Sequence, residues 1–325
     1  MYYGKVQYGF RSGRSTSDCV FMLLAAVRKA KRMGHSVTIA FCDIAKAYDS
    51  VNRELLYTKL DTIGFGGRVK SLIQSMYYND SVRVRIKGGL TAPLWFTKGV
   101  KQGGGLSPLL FSLYMAGLGE RLHAMKEGVN FNGQVISALF FADDLVLISR
   151  TRVRGMERML KEVSRFCKCM HMRLSIEKTV ILSNGRVGQV WKVEPGTPDL
   201  EATLAGKYLG VDIQVKGRNL VKLQIAQKYA NTIMGVTRAG LDRALVAHTL
   251  WERCAIPAVL YAVEAMLVSD GVVDKLDSIQ HASSTFYIAV TKINFQGSGI
   301  HGCGFQTNEG ENKGTRSIIC VGYSA

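Results

Sequence analysis

Two adjacent aspartates, Asp143 and Asp144, interrupt a run that is apolar on both sides: Ala138-Leu139-Phe140-Phe141-Ala142 before them and Leu145-Val146-Leu147-Ile148 after. Burying two like charges between short apolar strands is costly unless a cation offsets it. The run reads as strand, tight turn, strand, with the acid pair at the turn. A third acid, Asp43, closes another apolar strand, Ile39-Ala40-Phe41-Cys42. Three carboxylates delivered by two strand ends suit a two-metal phosphoryl-transfer site. There each Mg²⁺ takes hard oxygen ligands and leaves part of its shell to substrate phosphates. A pair that merely capped the helix expected from Thr151 to Met170 would sit nearer Ser149 and Thr151.

Other residues fit the same chemistry with less force. The backbone carbonyl of Ile44 can add an oxygen beside Asp43. The ring of Tyr48, five residues past Asp43, can wall the site and exclude a 2′-hydroxyl, although by itself it reads more simply as core. Asp49 reads as the cap of a helix beginning near Val51. In Lys98-Gly99-Val100-Lys101-Gln102-Gly103-Gly104-Gly105-Leu106-Ser107-Pro108, glycines ahead of a helix leave backbone N–H groups free for phosphates or a base pair. The run is neither a Walker loop nor a dinucleotide fingerprint. Arg11 and Arg14, set among glycine and hydroxyl residues, can grip a triphosphate or a template backbone, or form a solvated basic loop. Lys178, in Leu174-Ser175-Ile176-Glu177-Lys178-Thr179, can protonate departing pyrophosphate or be an ordinary surface lysine.

These residues need a scaffold, and hydrophobic periodicity outlines one. Helices are expected over Val20–Met33, Asn52–Ile63, Arg68–Tyr78, Pro108–Met125 and Arg152–Met170. Strands are expected over Ser36–Cys42, with Asp43 at its end, in the acid-pair hairpin, and at Val180–Ser183. Ser81–Lys87 alternates Val82, Val84 and Ile86 with Arg83, Arg85 and Lys87, a half-exposed strand with a basic face that pairs with Leu94–Phe96. The order makes an α+β fold, a split βαββαβ sheet with helices on one face. Gln189–Asp199, with Pro195, Gly196 and Pro198, reads as a connector. Asn219–Lys292 is mostly helical and basic, and Ile293–Ala325 loses all periodicity.

Forty-two Lys and Arg against 25 Asp and Glu give a net charge of +17, which implies a polyanionic partner. The most apolar stretch, Ala255–Val268, carries Pro257 and Glu264 and is too short to span a bilayer, so no membrane partner is expected. The start shows no apolar secretory segment, and the seven cysteines are scattered. An intracellular location, nucleus or cytoplasm, is expected. Cys167-x-Cys169-x-His171 invites a zinc reading, but Cys167 falls on the apolar stripe of its helix.

Taken in order, Gly-Phe-Arg-Ser-Gly-Arg-Ser-Thr, Asp-Ile-Ala-Lys-Ala-Tyr-Asp, Gly-Val-Lys-Gln-Gly with Leu-Ser-Pro-Leu-Leu-Phe, Phe-Ala-Asp-Asp, Glu-Lys-Thr and Lys207-Tyr208-Leu209-Gly210-Val211 closely resemble reverse transcriptases of LINE-type (non-LTR) retrotransposons. The resemblance runs over about residues 8–211 and continues faintly through Pro257–Glu264. It implies a right-hand polymerase. Partial fingers plus palm would occupy 1–214, a mostly helical thumb 215–292, and an irregular, degenerate tail 293–325. It implies two Mg²⁺ ions, or Mn²⁺ in their place, held by Asp43, Asp143, Asp144 and the Ile44 carbonyl. Tyr48 becomes the gate against ribonucleotides, and Gln102 and Gly103 line the nucleotide and template pocket. Arg11 and Arg14 fall in the fingers, Lys178 in the general-acid strand, and Tyr208, Leu209 and Gly210 in the primer grip. The implied partners are an RNA template, a DNA primer and deoxynucleoside triphosphates.

Two departures from the family pattern shape the expectations. Gly104-Gly105 stand where Cys-Pro or a similar pair is usual, which predicts slack beside the pocket. The chain is expected to be truncated at both ends, opening within the fingers and stopping before a cysteine–histidine region, with Arg11 and Arg14 on an unsupported loop. Such a piece is expected to polymerise poorly. The competing readings are a catalytically dead nucleic-acid-binding remnant and a palm-type nucleotide cyclase, the latter leaving the +17 charge unexplained.

Overall fold

The computed structural model describes residues 6–131, 133–151, 153–183, 189–214, 221–236, 249–265, 271–280, 305–307 and 318–320. The chain divides into two compact units, Met1–Gly217 and Arg218–Ala325.

The first unit is organised by one sheet of six strands. β1 (Thr38–Ile44) lies at its centre, antiparallel to β9 (Asp144–Ser149) on one side and to β10 (Leu174–Ser183) on the other. β8 (Ala138–Phe141) closes the hairpin with β9, while β12 (Leu200–Thr203) and β11 (Val190–Trp191) extend the far side. Helix α4 (Ser107–Ala124) lies in the chain between β1 and β8, and α5 (Arg154–Cys169) between β9 and β10. That is the expected split βαββαβ arrangement.

The helices are not confined to one face. Almost every residue of β1 is buried, the pattern of a strand covered on both sides. Ala40, Cys42 and Ile44 join the core built by α4 and α5. On the other face Phe41 stacks on Tyr208, with ring centroids 5.4 Å apart. Helix α1 (Thr16–Arg32) packs there against β8. Its start is four residues earlier than periodicity suggests, because Ser15 and Asp18 form a reciprocal capping box that apolar spacing does not reveal.

Between β1 and α4 the chain forms α2 (Arg53–Thr62), α3 (Gly67–Tyr77) and a small ribbon. In the ribbon β2 (Ser81–Val82) pairs with β5 (Leu94–Trp95), and β3 (Arg85–Ile86) with β4 (Gly89–Leu90). Here alternation misleads. Val82, Val84, Ile86, Leu94 and Trp95 are exposed along with the basic residues, because ladders of two residues present no face to the core. β6 (Val129–Phe131) and β7 (Gln134–Ile136) form a hairpin ahead of β8. The supposed connector after β10 is also packed: Trp191 is fully buried, and Glu194 accepts hydrogen bonds from Ser164 and Lys168 of α5. β13 (Ala205–Tyr208) and β14 (Val211–Gln214) make a further hairpin.

The second unit is mostly helical, with α6 (Val221–Val236), α7 (Ile256–Leu260) after a π turn at Trp251–Ala255, and helix over 271–280. Ala226, Val259, Val272 and Leu276 form its core. Strands Phe305–Thr307 and Ile318–Cys320 pair in the segment expected to be irregular. The rest of 293–325, and 215–220, 237–248, 266–270 and 281–292 of the expected thumb, lie outside the described residues. Among the described residues no helix is long and apolar enough to cross a membrane.

Candidate active site

The acids gather where β1 and β9 end side by side. The pairing Cys42↔Leu145 brings the next residue of β1, Asp43, level with Asp144. Ala142 and Asp143 form a two-residue turn between the paired Phe141 and Asp144. Ala142 takes φ 57°, a region that an L residue enters at a cost of about 1 kcal/mol or more. Asp144 keeps a solvent-facing side, yet protein crowds its carboxyl. Desolvation, followed by repulsion from Asp143 and Asp43, raises its pKa above the usual carboxylate value.

Three mutually repelling carboxylates are the donor chemistry that a hard divalent cation satisfies. The residues fit such an ion in kind. Among the described residues, no three Asp, Glu, His or Cys side chains stand close enough together in this arrangement to hold the ion. Ile44 pairs with Leu174 and its side chain is buried, so only its backbone could contribute.

Lys178 does not precede a strand, as expected, but lies inside β10. The register jumps from Phe41↔Val180 to Asp43↔Ser175, and the intervening residues of β10 bulge. Thr179 Oγ1 donates to Ser175 O (2.7 Å) within that bulge. The kink brings Lys178 Nζ to 3.9 Å from Asp43 Oδ2.

Tyr48 stands on the floor beside the acids. Its ring stacks on buried Phe111 of α4, centroids 4.9 Å apart and 14° between planes. Burial and then the nearby Asp143 charge raise its phenol pKa. Asp49 is not the cap of α2. A 3₁₀ turn over Tyr48–Ser50 leaves it too far upstream, and Asn52 accepts from Leu55 N–H instead. Asp49 Oδ1 accepts from Gln102 Nε2 (3.3 Å), joining the two motifs. The backbone follows: Gly99 N–H donates to Val51 O (2.8 Å) and Val100 N–H to Tyr48 O (2.9 Å).

The glycine run is not slack at Gly104. Its N–H donates to Lys101 O, Ser107 N–H donates to its carbonyl, and a Cβ there would meet Ser107 Oγ at 2.8 Å. Gln102 and Gly103 remain exposed at the tip.

Arg53, a residue without a sequence motif, anchors this loop. Its guanidinium donates to Gly99 O (2.9 Å), Tyr77 O (3.2 Å) and Phe96 O (2.8 Å), and pairs with Asp80 at 2.7 Å. Lys101 reaches the other Asp80 oxygen at 3.1 Å.

The arginine loop also has support, contrary to expectation. Tyr8 is buried, and Arg14 lies over its ring at 4.9 Å. The segment before it pairs with β8 through a parallel bridge, Gln7↔Phe140. Arg11 and Arg14 are themselves exposed. At the β13–β14 hairpin, Leu209 (φ 46°) and Gly210 (φ 78°) make the turn. Tyr208 is an anchor rather than a free contact, because its hydroxyl shares a 3.0 Å hydrogen bond with Cys19 of α1 and its ring lies on Phe41.

The sequence model of the family described as reverse transcriptase (RNA-dependent DNA polymerase) matches residues 1–213. The retrovirus-related Pol polyprotein from type-2 retrotransposable element R2DM of Drosophila melanogaster is 26% identical over 286 residues, covering 84% of this chain and 26% of the relative. That from type-1 retrotransposable element R2 of Nasonia vitripennis is 30% identical over 235 residues, covering 68% of this chain and 22% of the relative. The chain thus spans about a quarter of the length of these relatives. A solved telomerase from Candida tropicalis, in complex with a fragment of telomeric RNA, is 12% identical with TM-score 0.48, covering 90% of this chain and 44% of that one.

Proposed function

The chain belongs to the reverse transcriptase family, and from that premise we propose that it copies an RNA template into DNA for a mobile element, with its six-stranded sheet as the polymerase palm. The observation that carries the reading is the meeting of Asp43, Asp143 and Asp144 at adjacent strand ends, where burial and then Asp143 and Asp43 raise the cost of charging Asp144. In the reaction the primer 3′-hydroxyl gives up its proton to solvent as its oxygen bonds to the α-phosphorus of a deoxynucleoside triphosphate, while the bond to pyrophosphate breaks. Two divalent cations, Mg²⁺ or Mn²⁺, bound by the three carboxylates and the Ile44 carbonyl, would supply charge stabilisation to that transfer.

The protein's own groups do the rest. Tyr48, held flat by Phe111, presents a rigid wall below the incoming sugar and leaves no room for a 2′-hydroxyl. Gln102, steadied by Asp49, and Gly103 offer a polar tip to the nucleotide and template. Arg11 and Arg14 supply fixed positive charge for the triphosphate. Lys178, turned toward Asp43 by the bulge, donates a proton to the leaving pyrophosphate. The tip Leu209-Gly210 carries the primer contact while Tyr208 anchors its hairpin, and the helical second unit takes the role of thumb.

The test is primer extension on an RNA template by the parental chain and by Asp43→Asn, Asp143→Asn and Asp144→Asn. Each substitution should abolish extension and leave RNA binding within about twofold. Near-parental extension by Asp144→Asn would exclude this assignment, and RNA binding without any parental extension would favour the inactive remnant.

A further inference from the structure

Gln7 belongs to none of the motifs above, yet the residue is 2% exposed and its side chain stands directly behind the acid pair. Its Oε1 accepts two backbone hydrogen bonds, from Gly9 N–H at 2.8 Å and from Ala142 N–H at 3.1 Å. Two N–H donors converging on one atom fix that atom as the carboxamide oxygen. Gly9 presses on the same turn, where a Cβ would come within 2.4 Å of Ala142 N and 3.1 Å of Phe141 C. Tyr8 N–H completes the attachment by donating to Phe140 O at 2.8 Å.

We propose that Gln7, seated by Gly9, is a positioning residue that straps the β8–β9 turn and sets where Asp143 and Asp144 stand. The physical need is local. Ala142 holds a left-handed backbone conformation without being glycine, so the turn tends to relax toward other geometries unless something outside it holds it. The Gln7 carboxamide occupies the Ala142 N–H, which is buried and would otherwise lack an acceptor. Displacing the turn moves both acids together, and a shift of about 1 Å at reacting groups costs roughly a hundredfold in rate. The strap also leads directly into Arg11, whose Nη1 reaches back to Gln7 O at 3.4 Å, so the cationic loop and the acids share one support. The catalytic consequence rests on the polymerase reading; the strap itself does not.

Three measurements on the full chain and its Gln7→Ala variant test the proposal. They are amide hydrogen exchange of the peptide spanning 138–147, Mn²⁺ binding followed by electron paramagnetic resonance, and steady-state extension. The expected result is exchange at Ala142 faster by about tenfold, Mn²⁺ affinity weaker by severalfold, and kcat lower by about tenfold to a hundredfold. KM for the nucleotide should change less than about twofold, and because a smaller folded fraction would give the same split, kcat is referred to the folded fraction measured by calorimetry. Gly9→Ala, which pushes the same turn from the other side, should reproduce all three effects and carries the test if Gln7→Ala fails to fold. Unchanged exchange at Ala142 would overturn the strap. Faster exchange with parental Mn²⁺ affinity would overturn the positioning role. A parental chain that extends nothing would count against the polymerase reading alone, with exchange and Mn²⁺ binding still deciding for Gln7.

Discussion

Replacing Arg53 by Met should destabilise the first unit by about 3 kcal/mol and loosen the loop that carries Gln102. The side chains of Arg53 and Asp80 are 9% and 6% exposed, so the pair is shielded from water. Removing one partner of such a pair costs about 3–5 kcal/mol, chiefly because the other charge is left buried. Lys101 remains 3.1 Å from Asp80 and recovers part of that, on the order of 1 kcal/mol given its own 52% exposure. The carbonyls of Gly99, Tyr77 and Phe96 lose their donor as well, about 1 kcal/mol each before water replaces it. Methionine keeps an apolar stem over the Tyr77 ring, which limits the packing loss. For a unit of this size about 3 kcal/mol corresponds to a fall of roughly 6–12 °C in Tm, measurable by calorimetry. Asp80→Asn added to Arg53→Met should restore part of the loss, since it removes the orphaned charge. Because Gly99 is released, KM for nucleotide should also rise. A fall under about 2 °C, or full additivity in the double variant, would refute the argument that this ion pair braces the loop.

Tyr48→Ala should raise ribonucleotide over deoxyribonucleotide incorporation by about tenfold, the worth of relieving a ~1.4 kcal/mol clash; an unchanged ratio in single-nucleotide assays returns the ring to a packing role. Lys59, whose ammonium donates to Tyr114 O, has its pKa lowered to about 8 by burial and then by Arg121. The folded state therefore bears a cost for its charge below pH 8 that fades as pH rises to about 10.5, where the unfolded chain also loses the proton. Lys59→Met should accordingly raise stability at pH 7 by about 1–2 kcal/mol, allowing for screening, and the gain should shrink between pH 8 and 10.5. A gain that is flat across that window would refute it. RNA affinity should fall by about 0.7–0.9 log units per log unit of salt for each phosphate neutralised, with little sequence dependence, and a flat response in filter binding would exclude the basic surface as the track.

The acids and the sheet were legible because each lies in or beside an uninterrupted apolar run, a local signal. β10 was read short since Ser175, Glu177 and Lys178 interrupt its apolar pattern, and nothing local announces that the strand bulges there to turn Lys178 toward Asp43. Asp49 reads as a cap only for a helix beginning near Val51; the helix begins at Arg53, so Asn52 caps it. Trp191 lay in a segment whose prolines suggested a linker, and only its large apolar side chain hinted at burial. Arg53 with Asp80, and Gln7 with Ala142, are separated by 27 and 135 positions and share no periodicity that could betray them. Polar contacts of that span are decided by the folded neighbourhood. The sequence signal that existed for Gln7 was only its place two residues before a glycine opening a motif.

The bridge at Gln7 bears on how the protein behaves among its own copies. β8 is the last strand of the sheet, and Ala138-Leu139-Phe140-Phe141 is uncharged and rich in aromatic side chains. Such an edge, left with free backbone donors and acceptors, templates strand pairing between molecules and is the composition from which fibrils grow. Tyr8 N–H takes the Phe140 carbonyl out of that exchange, and Gln7 and Gly9 lie across the hairpin end. Residues 6–9 thus lie along part of that edge. A chain clipped inside them should both bare that edge and release the turn that carries Asp143 and Asp144, so aggregation seen by light scattering should accompany weaker metal binding.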